Sequence, residues 1–183
     1  MPTEALGHPH PFPHPARPSK AAAMPRLAIK ICGLSTPETV NAALKHDASH
    51  VGFVHFAKSP RHVEIDRMAA LAALAPSHVS PVAVLVDPED ELIARIAAGG
   101  IRTLQLHGKE SPERAATIRA RFGLSVWKAL PVKTRADIET GRAFAGAADM
   151  LLYDAKTPEG AALPGGMGVR FKSEEHTSEL QSH

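Results

Sequence analysis

Cysteine and the large aromatics are scarce in this chain of 183 residues, which has one Cys, one Trp, one Tyr and six Phe. A single thiol cannot close an internal disulfide, so the small disulfide-stapled class is excluded and a reducing compartment fits best. No apolar run reaches the ~18 residues needed to span a bilayer, and no signal-peptide core is present, which predicts a soluble, cytoplasmic protein with no membrane partner. Nor is there a block of one charge. The 21 Lys and Arg are interspersed with 19 Asp and Glu for a formal net charge of +2, so the electrostatic footprint of a nucleic-acid binder is missing. With so few rings, a core has to be built from Ala, Val, Leu and Ile, which suits helices packed on buried strands. The length allows one domain with a sizeable core and is short for two.

The two ends read differently from the middle. Residues 1–24 contain MPTEALGHPHPFPHPARPSKAAA, where Pro recurs too often for a helix and no periodicity supports a strand, so a disordered extension is expected. His8, His10 and His14 fall in this arm, where a metal site would lack fixed geometry and an orienting shell; no metal is expected there. Met24 opens the organised sequence and is a plausible initiator. Residues 172–183, KSEEHTSELQSH, are polar and unpatterned. They resemble the in-frame translation of a sequencing-library adapter, and an unstructured tail without function is expected. The organised domain is expected at 25–171.

Within it, short apolar runs alternate with amphipathic stretches. Leu27 to Ile31, His50 to His55, Val82 to Val86, Thr103 to His107, Val126 to Ala129 and Met150 to Tyr153 read as strands buried on both faces. Thr36-Pro37, Asp87-Pro88 and Ser111-Pro112 read as helix starts, each a capping residue followed by Pro at the first helical position. Ile65 to Leu74 reads as a helix with Met68, Leu71 and Ala72 inward. A fifth helix begins at Thr134, with Asp137 three positions on, and carries Ile138 and Phe144 inward. Gly99-Gly100 and Gly123 stand where helices should stop. Strict alternation implies right-handed crossovers and a parallel α/β sheet. Polar or reactive residues end every strand: Cys32, His55, Asp87, His107, Lys128 and Asp154. Ligands gather over the whole C-terminal face of a (β/α)8 TIM barrel but only at one switch point of an open sheet, so the pattern favours a barrel with six of its eight βα units present.

Several of these residues carry chemistry. Cys32 follows Lys30-Ile31 and precedes Gly33, which permits a sharp turn and close ligand approach; it is either a strand-end nucleophile or base, or a small buried hydrophobe. Asp154 ends an apolar strand, as an acid or as a cap or salt-bridge partner. A thiol and a carboxyl opposed over a barrel mouth can act as base and acid in a proton-transfer isomerisation that needs no cofactor. Arg61, in the polar loop Ala57-Lys58-Ser59-Pro60-Arg61, is placed to clamp a carboxylate or is an ordinary surface arginine. His107 serves orientation, packing or catalysis. The run Pro164-Gly165-Gly166-Met167-Gly168 offers backbone N–H groups to a ligand, forms a lid, or is a linker.

In order and at these intervals, KICG, GFV with SPR, QLHG, KA after an apolar run, LLYDA and GGMG resemble the phosphoribosylanthranilate isomerases of tryptophan biosynthesis from Ile29 to Phe171. The resemblance implies an Amadori rearrangement of an N-(5-phosphoribosyl)anthranilate aminoaldose to the 1-deoxyribulose aminoketose, without metal or cofactor. It assigns Asp154 as general acid at the furanose oxygen, Cys32 as general base at sugar C2, and Arg61, His107, Gly165, Gly166 and Gly168 to substrate binding. The acid must rest protonated and the thiol must be available as thiolate, so opposite pKa displacements are expected. The resemblance leaves open a homodimer. Met167 and His55 depart from the family pattern, which usually has a Thr-like residue and an aromatic or apolar residue there. The family's phosphate grip comes from strands seven and eight, which would lie beyond Phe171. Six strands leave two unpaired edges, and an unstable or poorly active polypeptide is expected. The alternatives are another sugar-phosphate barrel isomerase or epimerase, for which Asp87 and His107 provide only a partial set, and a non-catalytic anion-binding barrel fragment.

Overall fold

The structure, a computed structural model, describes residues 27–155. Six parallel strands alternate with helices: β1 (Lys30–Cys32), α1 (Pro37–Lys45), β2 (His50–His55), α2 (Ile65–Ala72), β3 (Ser80–Leu85), α3 (Asp90–Ala98), β4 (Thr103–Leu106), α4 (Pro112–Phe122), β5 (Ser125–Val132), α5 (Arg135–Glu139) and β6 (Met150–Ala155). A 3-10 turn, Thr140–Phe144, follows α5. Strand order in the sheet is β1-β2-β3-β4-β5-β6, and each adjacent pair runs parallel. Winding never reverses, so there is no switch point of the open doubly wound kind.

The sheet is also curled. Strands lie ~4.8 Å apart, so β1 and β4 in a flat sheet would be separated by ~14 Å, beyond the reach of one lysine. Yet Lys30 Nζ on β1 donates to Gln105 Oε1 on β4. The rings of His50 on β2 and Trp127 on β5, also three strands apart, have centroids 5.0 Å from each other. Both contacts are chords across the concave face of a partial barrel.

Alternation along each strand sorts side chains between that concave face and the helical layer. Val51, Phe53, Ala83, Leu85, Leu104, Leu106 and Val126 point outward and form the core with Val40, Met68, Leu71, Ile93, Ile96 and Ile118 from the helices. Their partners at even spacing, including Lys30, Cys32, Val54, Val84, Gln105 and His107, face the concavity. The outer strands described, β1 and β6, leave Ile29, Ile31, Met150 and Tyr153 exposed.

Local signals placed most elements. The Thr36 side chain accepts from Thr39 N and Pro37 opens α1, Ser111 accepts from Arg114 N, and Gly123 closes α4 at φ 62°. Four readings need correction. The helix expected from Asp87-Pro88 begins at Asp90, because the Asp87 carboxylate is taken by Lys109 N at 2.7 Å rather than by a helix N-terminus. β1 starts at Lys30 rather than Leu27, since β2 supplies partners only for Lys30, Ile31 and Cys32. β5 continues through Pro131 to Val132, because β6 pairs along its whole second half. Ile138 is exposed; the short α5 gives way to the 3-10 turn, and Phe144 alone of the expected pair is buried. The extension 1–24, the loop Pro164 to Gly168 and the tail 172–183 lie outside the described residues.

Candidate active site

A cavity of about 380 Å³ opens on the concave face at the C-terminal ends of the strands. It gathers Cys32 from β1, Arg61 from the loop after β2, His107 from just past β4 and Asp154 from β6. Four of the residues singled out in the sequence, spread over more than 120 positions, thus share one concavity. Gly165, Gly166 and Gly168 fall outside the described residues. The other strand-end residues do not join the cavity. His55 Nδ1 is bound to the Val63 carbonyl, Asp87 to Lys109 N, and Lys128 is buried in an ion pair with Glu110. Of the six polar residues expected at strand ends, half therefore tie loops together instead of facing the cavity, and Lys128 lies within β5, which runs on to Val132.

Glycines make the crowding around the thiol feasible. A Cβ on Gly52 would lie 2.9 Å from Cys32 Sγ and 3.2 Å from Cys32 Cα, so β2 must be bare where β1 carries the sulfur. Gly33, at φ 81°, turns the chain directly after Cys32, and its missing side chain leaves room for the Arg61 stem, whose Cδ a Cβ would strike. Gly52→Ala is therefore expected to cost about 1–3 kcal/mol by overpacking and to displace the thiol. Melting curves and the rate of Cys32 alkylation measure the two effects, and an unchanged alkylation rate would show that the sulfur does not depend on this contact.

Lys30 and Gln105 belong to the site, and sequence reading missed them. Lys30 Nζ donates to Cys32 Sγ at 3.4 Å and to Gln105 Oε1. The alternation Lys30, Ile31, Cys32 put the two functional groups on one face of β1, a signal available once β1 was read as a strand. That Gln105 faces them depended on curvature. Arg61 makes no ion pair among the described residues, and its guanidinium borders the cavity, free to receive an anion. Its backbone is held by Ser59 Oγ, which accepts from Arg61 N at 3.1 Å.

His107 Nε2 lies 3.3 Å from Asp154 Oδ2. The hydrogen bond from His107 is the main influence holding the Asp154 carboxyl below the usual carboxylate range; partial burial works the other way. This is opposite in direction to the displacement expected of a resting protonated acid. The His107 hydrogen bond outweighs burial at this open mouth, where the Asp154 side chain keeps 39% of its exposure. A depressed carboxyl contributes stability that is fully present above the unfolded-chain value, about 3.9, and lost as pH falls through the lower folded value. Asp154→Asn should flatten that part of an acid unfolding curve, by a small amount because solvent screens the pair. Denaturant midpoints from about pH 5 to pH 2 would reveal it, and identical curves would count against the pairing.

The sequence family described as N-(5'phosphoribosyl)anthranilate (PRA) isomerase matches residues 29–183. The N-(5'-phosphoribosyl)anthranilate isomerase of Zymomonas mobilis subsp. pomaceae is 49% identical over 146 residues, which cover 79% of this chain and 68% of the relative. That of Azorhizobium caulinodans is 52% identical over 146 residues, covering 79% and 64%. The chain thus spans about two thirds of the length of the curated relatives it matches. Among solved structures, phosphoribosyl anthranilate isomerase from Thermotoga maritima superposes with a TM-score of 0.69 at 31% identity, over 80% of this chain and 68% of that one. A phosphoribosyl anthranilate isomerase in complex with reduced 1-(o-carboxyphenylamino)-1-deoxyribulose 5-phosphate gives 0.64 at 29% identity, over 70% and 65%. A six-stranded partial barrel with these relatives is a (β/α)-barrel protein, and the chain belongs to the N-(5'-phosphoribosyl)anthranilate isomerase family.

Proposed function

We propose that the described barrel face carries out the isomerisation of N-(5-phosphoribosyl)anthranilate to 1-(2-carboxyphenylamino)-1-deoxyribulose 5-phosphate. One observation carries the reading: Cys32, Arg61, His107 and Asp154 line a single cavity. Asp154 delivers a proton to the furanose ring oxygen, the C1–O bond breaks, and the nitrogen lone pair forms the C1=N iminium. Cys32 then takes the proton from C2, and the C–H electrons close a C1=C2 enaminol that tautomerises to the ketone. The protons balance, one given to oxygen and one taken from carbon, so no redox partner is required. Arg61 receives the anthranilate carboxylate as a two-point clamp. Substrate in the cavity strips water from Asp154, and that loss of solvation favours the protonated acid that the first step needs. His107 orients the carboxyl through the 3.3 Å contact.

The competing sugar-phosphate reading needs paired strand-end Asp residues or metal-binding His residues over the site, and the cavity lining holds one of each, Asp154 and His107. Asp87 accepts from Lys109 N and does not border the cavity, which leaves that reading without its partner. Among the described residues no helix is long and apolar enough to cross a membrane, and we place the reaction in the cytoplasm, where its single thiol stays reduced. A homodimer is part of the same proposal, supported by a Thermotoga maritima structure of monomers generated from a dimeric phosphoribosylanthranilate isomerase, 30% identical with a TM-score of 0.64 over 73% of this chain and 66% of that one.

Proton NMR of the chain incubated with N-(5-phosphoribosyl)anthranilate tests the activity. A new C1 methylene signal is the expected result. Release of anthranilate by hydrolysis alone would leave the barrel as a binder.

A further inference from the structure

The loop that delivers Arg61 carries a second cluster of ligating groups, on the helical side of β2 from the cavity's chemistry. His55 ends β2, and His62 and Glu64 lie in the loop before α2; one ligating atom from each falls within 4.8 Å of the others. The centroids of the two imidazole rings lie 4.8 Å apart, with the ring planes tilted by 46°. The backbone around them is pinned: Val63 N donates to Val54 O at 2.8 Å and His62 N to Ser59 O at 3.0 Å.

The hydrogen bonds set the tautomers. A carbonyl only accepts, so His55 Nδ1, 2.9 Å from Val63 O, carries the hydrogen and leaves the Nε2 lone pair free. Likewise Glu64 Oε1 accepts from His62 Nε2 at 3.0 Å, which strips the hydrogen from His62 Nδ1. That Nδ1 is buried and is the one buried side-chain polar atom among the described residues without a hydrogen-bond partner. A buried acceptor with no donor is costly, and a carboxylate holding the far nitrogen of an imidazole is the orienting arrangement found behind metal-bound histidines.

We propose that His55 Nε2 and His62 Nδ1 bind a divalent transition metal of the zinc, nickel or copper class, with Glu64 as the positioning carboxylate behind His62. Two imidazoles select these ions over magnesium and calcium, which prefer oxygen donors. The metal staples the end of β2 to the loop that carries Arg61 and steadies that loop. This site is independent of the catalytic assignment, and it gives a role to His55, which does not border the cavity.

The test uses zinc chloride alone and the whole chain with His8, His10 and His14 replaced by Gln, so that the zinc retained is assigned to the described residues. Equilibrium dialysis with metal analysis should retain one zinc per chain, and zinc should raise the melting temperature. His55→Phe and His62→Asn should each abolish both effects. Glu64→Gln, at an exposed position that leaves the fold intact, should weaken zinc binding about 10- to 100-fold. Millimolar magnesium should not compete. No zinc retained by the arm-substituted chain, or retention undiminished by His55→Phe and Glu64→Gln, overturns the site.

Discussion

Replacing Cys32 by Ser is expected to lower kcat by about two to four powers of ten, with KM changed by no more than a few-fold. The hydroxyl takes the thiol's place at a similar size, but an alcohol holds its proton far more firmly than a thiol does, so the base is lost while Arg61 and the cavity wall still bind substrate. Cys32 is exposed and outside the core cluster, so the melting temperature should not move. This separates catalysis from stability in one variant. Steady-state rates with N-(5-phosphoribosyl)anthranilate, measured beside the unsubstituted protein, decide it; equal rates would mean that the proton leaves C2 by another group and that the barrel mouth has been misread. Asp154→Asn should lose a comparable factor at the ring-opening step. Single-turnover traces would then show substrate persisting unopened.

The largest effect on stability is expected from Glu110→Ala. Lys128 and Glu110 are almost wholly inaccessible, with Nζ 2.7 Å from Oε2, and Lys128 also donates to the Gly108 carbonyl at 2.7 Å. The other carboxylate oxygen accepts from Asp87 N at 2.8 Å, and Gly108 N points at both oxygens. One carboxylate therefore joins the loops after β3 and β4 to the middle of β5. Removing it leaves a buried ammonium and two backbone donors unmet, a loss of about 3–5 kcal/mol. Urea midpoints would show it. The double replacement Glu110→Leu with Lys128→Met should recover much of the loss, because two apolar side chains leave no stranded charge. If Glu110→Ala melts like the parent, the pair is solvated in solution and does not brace the rim.

These two cases mark the limits of what could be read along the chain. Cys32 and Asp154 were legible because each interrupts an apolar strand at its C-terminal end, where side-chain alternation and backbone direction are local properties. Lys128 sat in an equivalent position and was read as part of the same polar rim. Its partner Glu110 lies 18 residues away on another loop, and no local signal says which polar side chain finds a partner beneath the surface. Asp87 was misplaced for the same reason. Asp-Pro is a good helix start in isolation, but Lys109 N, 22 positions on, competes for the carboxylate and wins.

Element type, chain direction, the caps at Thr36 and Ser111 and the ordered set of strand-end groups follow from the sequence by itself, because they depend on contacts within a few residues and on the two periodicities of helix and strand. Only the tertiary structure decided which strand-end groups share the cavity, that Lys30 and Gln105 meet between Cys32 and the opposite wall, and that His107 draws the Asp154 carboxyl downward rather than leaving it raised. The physical reason is curvature. The distance between side chains on β1, β4 and β6 is set by how tightly the sheet bends, a property of all the packed helices together and of no single segment of chain.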